Sequence, residues 1–355
     1  MLFGTLGIPR ALEAEMSETE VRVVAEKLTP ILAELRRMRR EFFDETESRL
    51  RMKMTAAAVA GFILGWLLMG SFPTGLLLMV GGAFFAFLML VPQADDVARA
   101  RTKHAIIEVM AGELLSLTSI APGARPAMFS EAVVNGWRLL PLVWDVTVDD
   151  LLVGEREGYR VSLSRVGFQF GGSSNVRLAQ GEGAVFVVSE IADEGIGRIV
   201  DDRITIVVGA DAPAMLRSAP QLAHRLAQGV TGDQAFDVRY RVYGDPSPLT
   251  PAVREGFTAL EVLTRCDGTG TRNVAAGHGL RPAVIIGRDR LVVLTAIPVF
   301  DGVLEPPPLW EPLKSENLIP AFASDLLVLN DYLEATIKLH KVLTRTNETT
   351  RGFSS

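Results

Sequence analysis

A single cysteine, Cys266, stands in 355 residues, so no disulfide can close within the chain, as suits a reducing compartment. No histidine or basic cluster adjoins Cys266 in sequence to lower its thiol pKa, and it reads as an incidental thiol rather than a nucleophile. Histidine is nearly as scarce. His104, His224, His278 and His340 are scattered, form neither H-x-x-x-H nor H-E-x-x-H, and supply no metal-ligand spacing. A nucleophile elbow of the G-x-S-x-G type is absent. The glycine-rich stretch Asp267–Arg272 lacks the Lys-Ser or Lys-Thr of a phosphate loop, and Asn273 occupies the place of a third dinucleotide-binding glycine. Asp149-Asp150 and Asp201-Asp202 are paired carboxylates, but neighbours on a strand point to opposite faces, and turns or helix caps account for such pairs. No cofactor, metal or catalytic residue is therefore expected, and the chain reads as non-enzymatic. An excess of positive charge is also missing: the net charge of −6 excludes general nucleic-acid binding, which needs a basic surface.

Charge of either sign is absent from Met54 to Val91. A helix rises about 1.5 Å per residue, so roughly 20 apolar residues cross a hydrocarbon core of about 30 Å. Thr55–Phe72 and Thr74–Val91 are near that length, and the segment Gly70–Gly75 between them carries the Pro and Gly that disfavour helix continuation. Residues 54–91 are thus expected to form a two-span transmembrane hairpin in contact with the lipid bilayer, with a single bent span or a re-entrant loop as the alternatives, since the second half is on the short side. Residues 1–53 precede it, unlike a cleavable signal peptide. Basic residues flank it on both sides, with Arg49, Arg51 and Lys53 before and Arg99, Arg101 and Lys103 after, while the turn has none. By the positive-inside rule both termini face the cytoplasm, in a multi-pass arrangement. These six residues are also candidates for contact with anionic lipid at the membrane surface, although setting topology alone accounts for them. Gly61-x-x-x-Gly65 and Gly82-x-x-x-Ala86 place small residues at the spacing that lets helices approach closely in lipid. Packing of the two spans on each other is the favoured use of these faces, oligomerisation the other. No charge lies within the spans to mark a transport path.

Ahead of the hairpin, residues 1–53 read as a helical arm. Val21, Val24, Leu28, Ile31, Leu35, Met38 and Phe42 alternate three and four residues apart, the spacing of a coiled-coil seam. Pro30 interrupts that arm, which suggests two helices, with Thr29 capping the second. The seam suits either a homo-oligomer or protein partner, or the protein's own soluble domain.

Past the hairpin, residues 92–143 read as a helical connector, with a helix over Gln93–Ser119, a break at Ala121-Pro122-Gly123 and a shorter helix over Ala127–Gly136. From Trp144 the period changes. Tyr159–Val166 alternates, Gly183–Ile191 and Arg203–Val208 are rich in β-branched residues, and Phe236–Tyr243 alternates strictly, so all four are expected as strands. Leu280–Ala296 reads as a β-hairpin. Ala212–Gly229 and Thr250–Arg265 read as helices, the latter with Thr250 as cap and Pro251 in its first turn. Without a regular βαβ rhythm, residues 144–310 are expected to be an α+β domain with a mainly antiparallel sheet and packed helices. A long C-terminal helix follows within 311–345, then a polar tail over 346–355.

The stretch Val148-Asp149-Asp150-Leu151-Leu152-Val153-Gly154, the Tyr159 strand, Phe236–Asp245, the Thr250 helix and the closing hairpin carry a resemblance. Together with the arm and hairpin they resemble an uncharacterised bacterial membrane-protein family, catalogued as a numbered domain of unknown function. The resemblance implies a hairpin in the bacterial inner membrane and a cytosolic α+β domain, and supplies neither a catalytic residue nor a substrate. The functional expectation is a membrane-anchored protein whose cytosolic domain binds a partner or scaffolds an envelope process. The alternative is a domain that senses lipid or a small ligand at the cytoplasmic membrane face.

Overall fold

The computed structural model describes residues 18–120, 127–170, 179–190, 204–212, 214–264, 281–287, 290–295, 326 and 329–345. The chain divides into two compact units, one formed by Ser17–Val109 with Leu304–Ala321, the other by Met110–Val303 with Phe322–Ser355 and Met1–Met16.

The first unit is a helical hairpin. Helix α1 runs without interruption over Glu18–Met69 and α2 over Phe72–Leu115. Both are longer than the sequence suggests. Pro30 lies inside α1 and does not divide it. Pro30 is exposed, and its missing N–H removes one hydrogen bond of the helix. The turn is Gly70-Ser71 alone, with Gly70 at φ +62°, and Pro73 already belongs to the first turn of α2, where its missing N–H costs nothing. No new helix begins at Gln93, because α2 continues to Leu115, and Ser116 at φ +53° ends it.

The second unit is α+β. Strands β1 (Thr118–Ser119), β2 (Val143–Arg156), β3 (Tyr159–Phe170), β4 (Ala179–Glu190), β5 (Thr205–Gly209), β6 (Gln228–Gly229), β7 (Tyr240–Gly244), β8 (Ala283–Ile286) and β9 (Arg290–Thr295) form one sheet. Its order is β1-β2-β3-β4-β9-β8-β5-β7-β6, and every pairing is antiparallel. Glu157 and Gly158 both have positive φ, which gives the β2–β3 hairpin the two-residue turn whose twist matches its strands. Asp150, at φ +54°, sits in a register shift of β2 between Asp149 and Leu152. That bulge shifts the alternation, so Val146, Val148, Leu151 and Val153 all meet one core.

Helices cover both faces, which explains strands such as β5 and β8 that are buried at every position. On one face, a 3-10 turn (Ala127–Phe129), α3 (Glu131–Gly136) and α4 (Ala214–Leu222) enclose a core of Trp137, Val166, Phe168, Val187, Ile206, Ile285 and Val292. On the other lie α5 (Gln234–Arg239), α6 (Pro251–Thr264) and a C-terminal helix over 329–345, here α7. Tyr332 of α7 stacks on Phe186 of β4 at 4.8 Å, and His340 meets Tyr159 of β3 edge-on at 5.0 Å.

Three local expectations differ from the fold. Phe236–Tyr243 is not a strand throughout. Asp233 accepts from the backbone N–H of Ala235 and Phe236 and so starts α5, and only Tyr240 onward is extended. The helix expected over Ala212–Gly229 stops at Leu222. Its last carbonyls are taken by His224 and Leu226 N–H, Arg225 adopts φ +55°, and Gln228-Gly229 joins the sheet. Thr250 does not cap α6 through its hydroxyl, which makes no hydrogen bond, although its carbonyl accepts from Arg254 N–H.

Candidate functional site

Gly61, Gly65 and Gly82 lie where α1 and α2 touch. A methyl group on Gly61 would overlap the backbone carbonyl of Leu78. One on Gly65 would stand 2.8 Å from Gly75 Cα, and one on Gly82 would stand 2.8 Å from the Ala57 carbonyl oxygen. A methyl group on Gly75 would in turn stand 3.1 Å from the Phe62 ring and carbonyl. Backbone therefore rests on backbone along the hairpin, a separation that larger residues forbid. The side chain of Ala86 lies outside the described residues. Around this seam the apolar side chains point outward: Leu67 is 76% exposed, Leu77 72% and Trp66 58%, with Ile63, Val80, Phe84 and Phe85 also exposed. Among the described residues, Glu47–Leu68 is long and apolar enough to cross a membrane, while Phe72–Phe85 is apolar but shorter.

Replacing Gly61 with leucine should therefore force the helices apart, at about 1–3 kcal/mol, as overpacking does. Gly81→Leu is the matched control, since a side chain there meets nothing. Thermal unfolding in mild detergent should separate the two variants, and equal behaviour would refute the backbone seam.

Of the arm's seam, the side chains of Val21, Val24, Leu28, Ile31, Leu35 and Phe42 lie outside the described residues. Among the described arm residues, Met38 is exposed and Leu32, which the heptad omits, is buried. The flanking basic residues do not behave alike. Arg49 and Arg51 are exposed and pair with Glu45 and Glu47 one turn earlier, each at 2.5 Å, and Lys53 is exposed. Lys103, by contrast, is 8% exposed and has a partner of its own. Arg99 is half-buried and engaged, and the Arg101 side chain lies outside the described residues.

In the sheet domain, the most concentrated charge is a network that sequence reasoning missed. Glu261 of α6 is buried, and its carboxylate accepts from Arg281 Nε at 3.0 Å, Arg239 Nη1 at 3.2 Å and the Tyr240 hydroxyl at 3.2 Å. Arg281 also donates to Asp211 Oδ2 at 2.7 Å and stands over the Tyr240 ring, 5.9 Å from its centre. Burial, then the Glu261 charge, pushes the Tyr240 hydroxyl far above the usual phenol range. A buried carboxylate engaged by three donors acts as a fastener between elements.

The other candidates do not converge. His224 donates Nε2 to the Leu140 carbonyl at 2.7 Å, and His340 is buried against Tyr159. Asp149 is exposed beside the β2 bulge. Cys266, Asp267–Arg272, Asp201-Asp202 and His278 lie outside the described residues. Among the described residues no three His, Cys, Asp or Glu side chains gather as metal ligands do.

A groove of about 610 Å³ runs between α6 and α7, floored by Ala252, Gly256, Ala259 and Ala335, with Glu255, Asp331 and Glu334 outnumbering Lys338 around it. A cavity of about 40 Å³ lies on the opposite face, beneath Met128 and Trp137. No family model, curated protein or solved structure matches the chain.

Proposed function

We propose that this protein is a membrane-anchored, non-enzymatic protein of the bacterial inner membrane, whose hairpin spans the bilayer and whose cytoplasmic α+β domain binds a partner or scaffolds an envelope process. The carrying observation is the hairpin itself: glycine-lined on the inside and apolar outward over Val59–Phe85. In water that exterior would drive aggregation, whereas in lipid it is solvated. The basic residues Arg49, Arg51 and Lys53 at the start of the apolar run fit an orientation with both termini inside. The α6–α7 groove supports the partner-binding half of the reading. It is of ligand-site size, and its excess of carboxylates suits a basic segment of a partner protein. The same order of arm, hairpin and domain belongs to the family the sequence resembles.

Topology tests the reading. In a Cys266→Ser background, a cysteine at Ser71 should react with an impermeant maleimide on cells with an opened outer membrane. One at Ser355 should react only after the inner membrane is opened. The chain should also resist extraction by alkaline carbonate. Release by carbonate, or equal labelling of both cysteines, would remove the anchor.

A further inference from the structure

The 40 Å³ cavity is a built site that the anchor reading does not use. Its floor comes from three neighbouring strands. In the register of the sheet, Arg160 of β3 stands opposite Ser189 of β4, and Ser189 stands opposite Arg290 of β9. One step along, Ser162, Val187 and Val292 form the next row on the same face. Trp137 and Met128 close the top. Strands lie about 4.8 Å apart, so the two arginines flank Ser189 with their Cβ atoms roughly 10 Å apart, within reach of one shared group.

Three features of this floor call for a ligand. The Ser162 hydroxyl lines the cavity, its residue is 2% exposed, and it has no hydrogen-bond partner. A buried hydroxyl left so is costly unless something enters to satisfy it. Arg160 is half-buried and makes no ion pair among the described residues. Finally, Arg160 and Arg290, the latter with a partner of its own, both line this cavity, and no carboxylate is among its lining residues. An anion held between two cationic side chains is attracted to both.

The geometry points to a phosphate-binding site: we propose that this cavity holds the terminal phosphate of a small anionic ligand, gripped by Arg160 and Arg290 with the Ser162 and Ser189 hydroxyls donating from below. Two guanidinium forks match a dianion in charge, and the hydroxyls supply further donors to its tetrahedral oxygens. A cavity of 40 Å³ is far below the several hundred of a whole-ligand pocket, so only the anionic head enters. The phosphate could be free or carried on a lipid.

Full-length protein in mild detergent would be titrated calorimetrically with inorganic phosphate, and separately with short-chain phosphatidic acid, against chloride at matched ionic strength. Wild type should bind phosphate and not chloride. Tighter binding of phosphatidic acid would assign a lipid headgroup, and equal or weaker binding a free phosphate. Arg160→Gln should weaken binding by at least about 10-fold and Ser162→Ala by about 5-fold, as loss of a charged hydrogen bond does. Ser162→Ala is compatible with the fold, since it removes a buried hydroxyl that nothing satisfies. Should Arg160→Gln not fold, Arg160→Lys keeps the charge and loses the fork, and should weaken binding about threefold. Absence of phosphate binding in the wild type, or affinities unchanged in Ser162→Ala and the folded Arg160 variant, would overturn the site. Neither result bears on whether the hairpin spans a membrane.

Discussion

Replacing Glu261 with alanine is expected to cost about 3–5 kcal/mol of folding stability, the loss seen when one partner of a buried ion pair is removed. The reason is what the substitution leaves behind. Arg281, whose side chain is 12% exposed, loses the Nε bond and keeps only Asp211. The hydroxyl of Tyr240, whose ring packs against Phe236 at 4.8 Å and Phe257 at 5.5 Å, is left without its acceptor. Urea unfolding of the full chain in mild detergent, followed by tryptophan fluorescence, measures it, since Trp137 is buried in the same unit. Glu261→Gln should lose less, because its carbonyl oxygen still accepts. Adding Arg281→Met to Glu261→Ala should recover part of the loss, because the second substitution removes the stranded charge. A loss of less than about 1 kcal/mol for Glu261→Ala would show that Arg239 and Arg281 find water as readily as they find Glu261.

This network also shows what kind of information a sequence withholds. Glu261 and Arg281 sit on separate elements, and nothing local announces that α6 will lie where Arg281 and Asp211 can both be reached. The sheet order has the same character. The hairpin of β8 and β9 is legible from two β-branched runs and a short turn, but its insertion between β4 and β5 is a long-range choice that no window of residues contains. Local signals that compete are the other source of error. The run Phe236–Tyr243 alternates as a strand should, yet Asp233 caps a helix, and Phe236 and Tyr240, four apart, stack on each other. A cap outweighed the period there. Conversely, Gly61, Gly65 and Gly82 stand out in the sequence, because so many small residues in an apolar run have few uses besides close helix contact.

The phosphate cavity was hidden for a subtler reason. Arg160, Ser162 and Ser164 alternate with Tyr159, Val161 and Leu163, the pattern of a strand with one wet face. The structure buries Ser162 and Ser164 as well, because the segment from Ala127 to Trp137 folds across that face. Ser164 is satisfied there by donating to the Asp149 carbonyl at 2.9 Å, a bond that the β2 bulge brings within reach. Ser162, two residues along, has no such neighbour. Polar residues that look solvent-facing in sequence and prove buried are informative in proportion to how poorly the fold satisfies them.

Acid is expected to loosen the packing of α7 on the sheet, through His340. The residue is 4% exposed, Nε2 has no partner, and burial pushes its pKa down to about 4. In the unfolded chain the imidazole titrates near its ordinary value of about 6.5. Between these two values the unfolded state binds the extra proton, so stability rises with pH across the window and is lost as pH falls from 6.5 toward 4. Two and a half units correspond to about 3 kcal/mol at the acid end. Asp331, on the same helix, acts in the opposite sense, since burial and then Glu334 raise its carboxyl, but it is exposed and its share is small. Urea midpoints for the wild type and His340→Leu, measured at intervals from pH 7.5 to 4.5, isolate the effect. The wild type should lose stability more steeply than the variant, with the two curves converging or crossing as pH falls. Parallel curves would mean that His340 takes up its proton in the folded state as readily as in the unfolded one, which requires a route for water to the Tyr159–His340 contact.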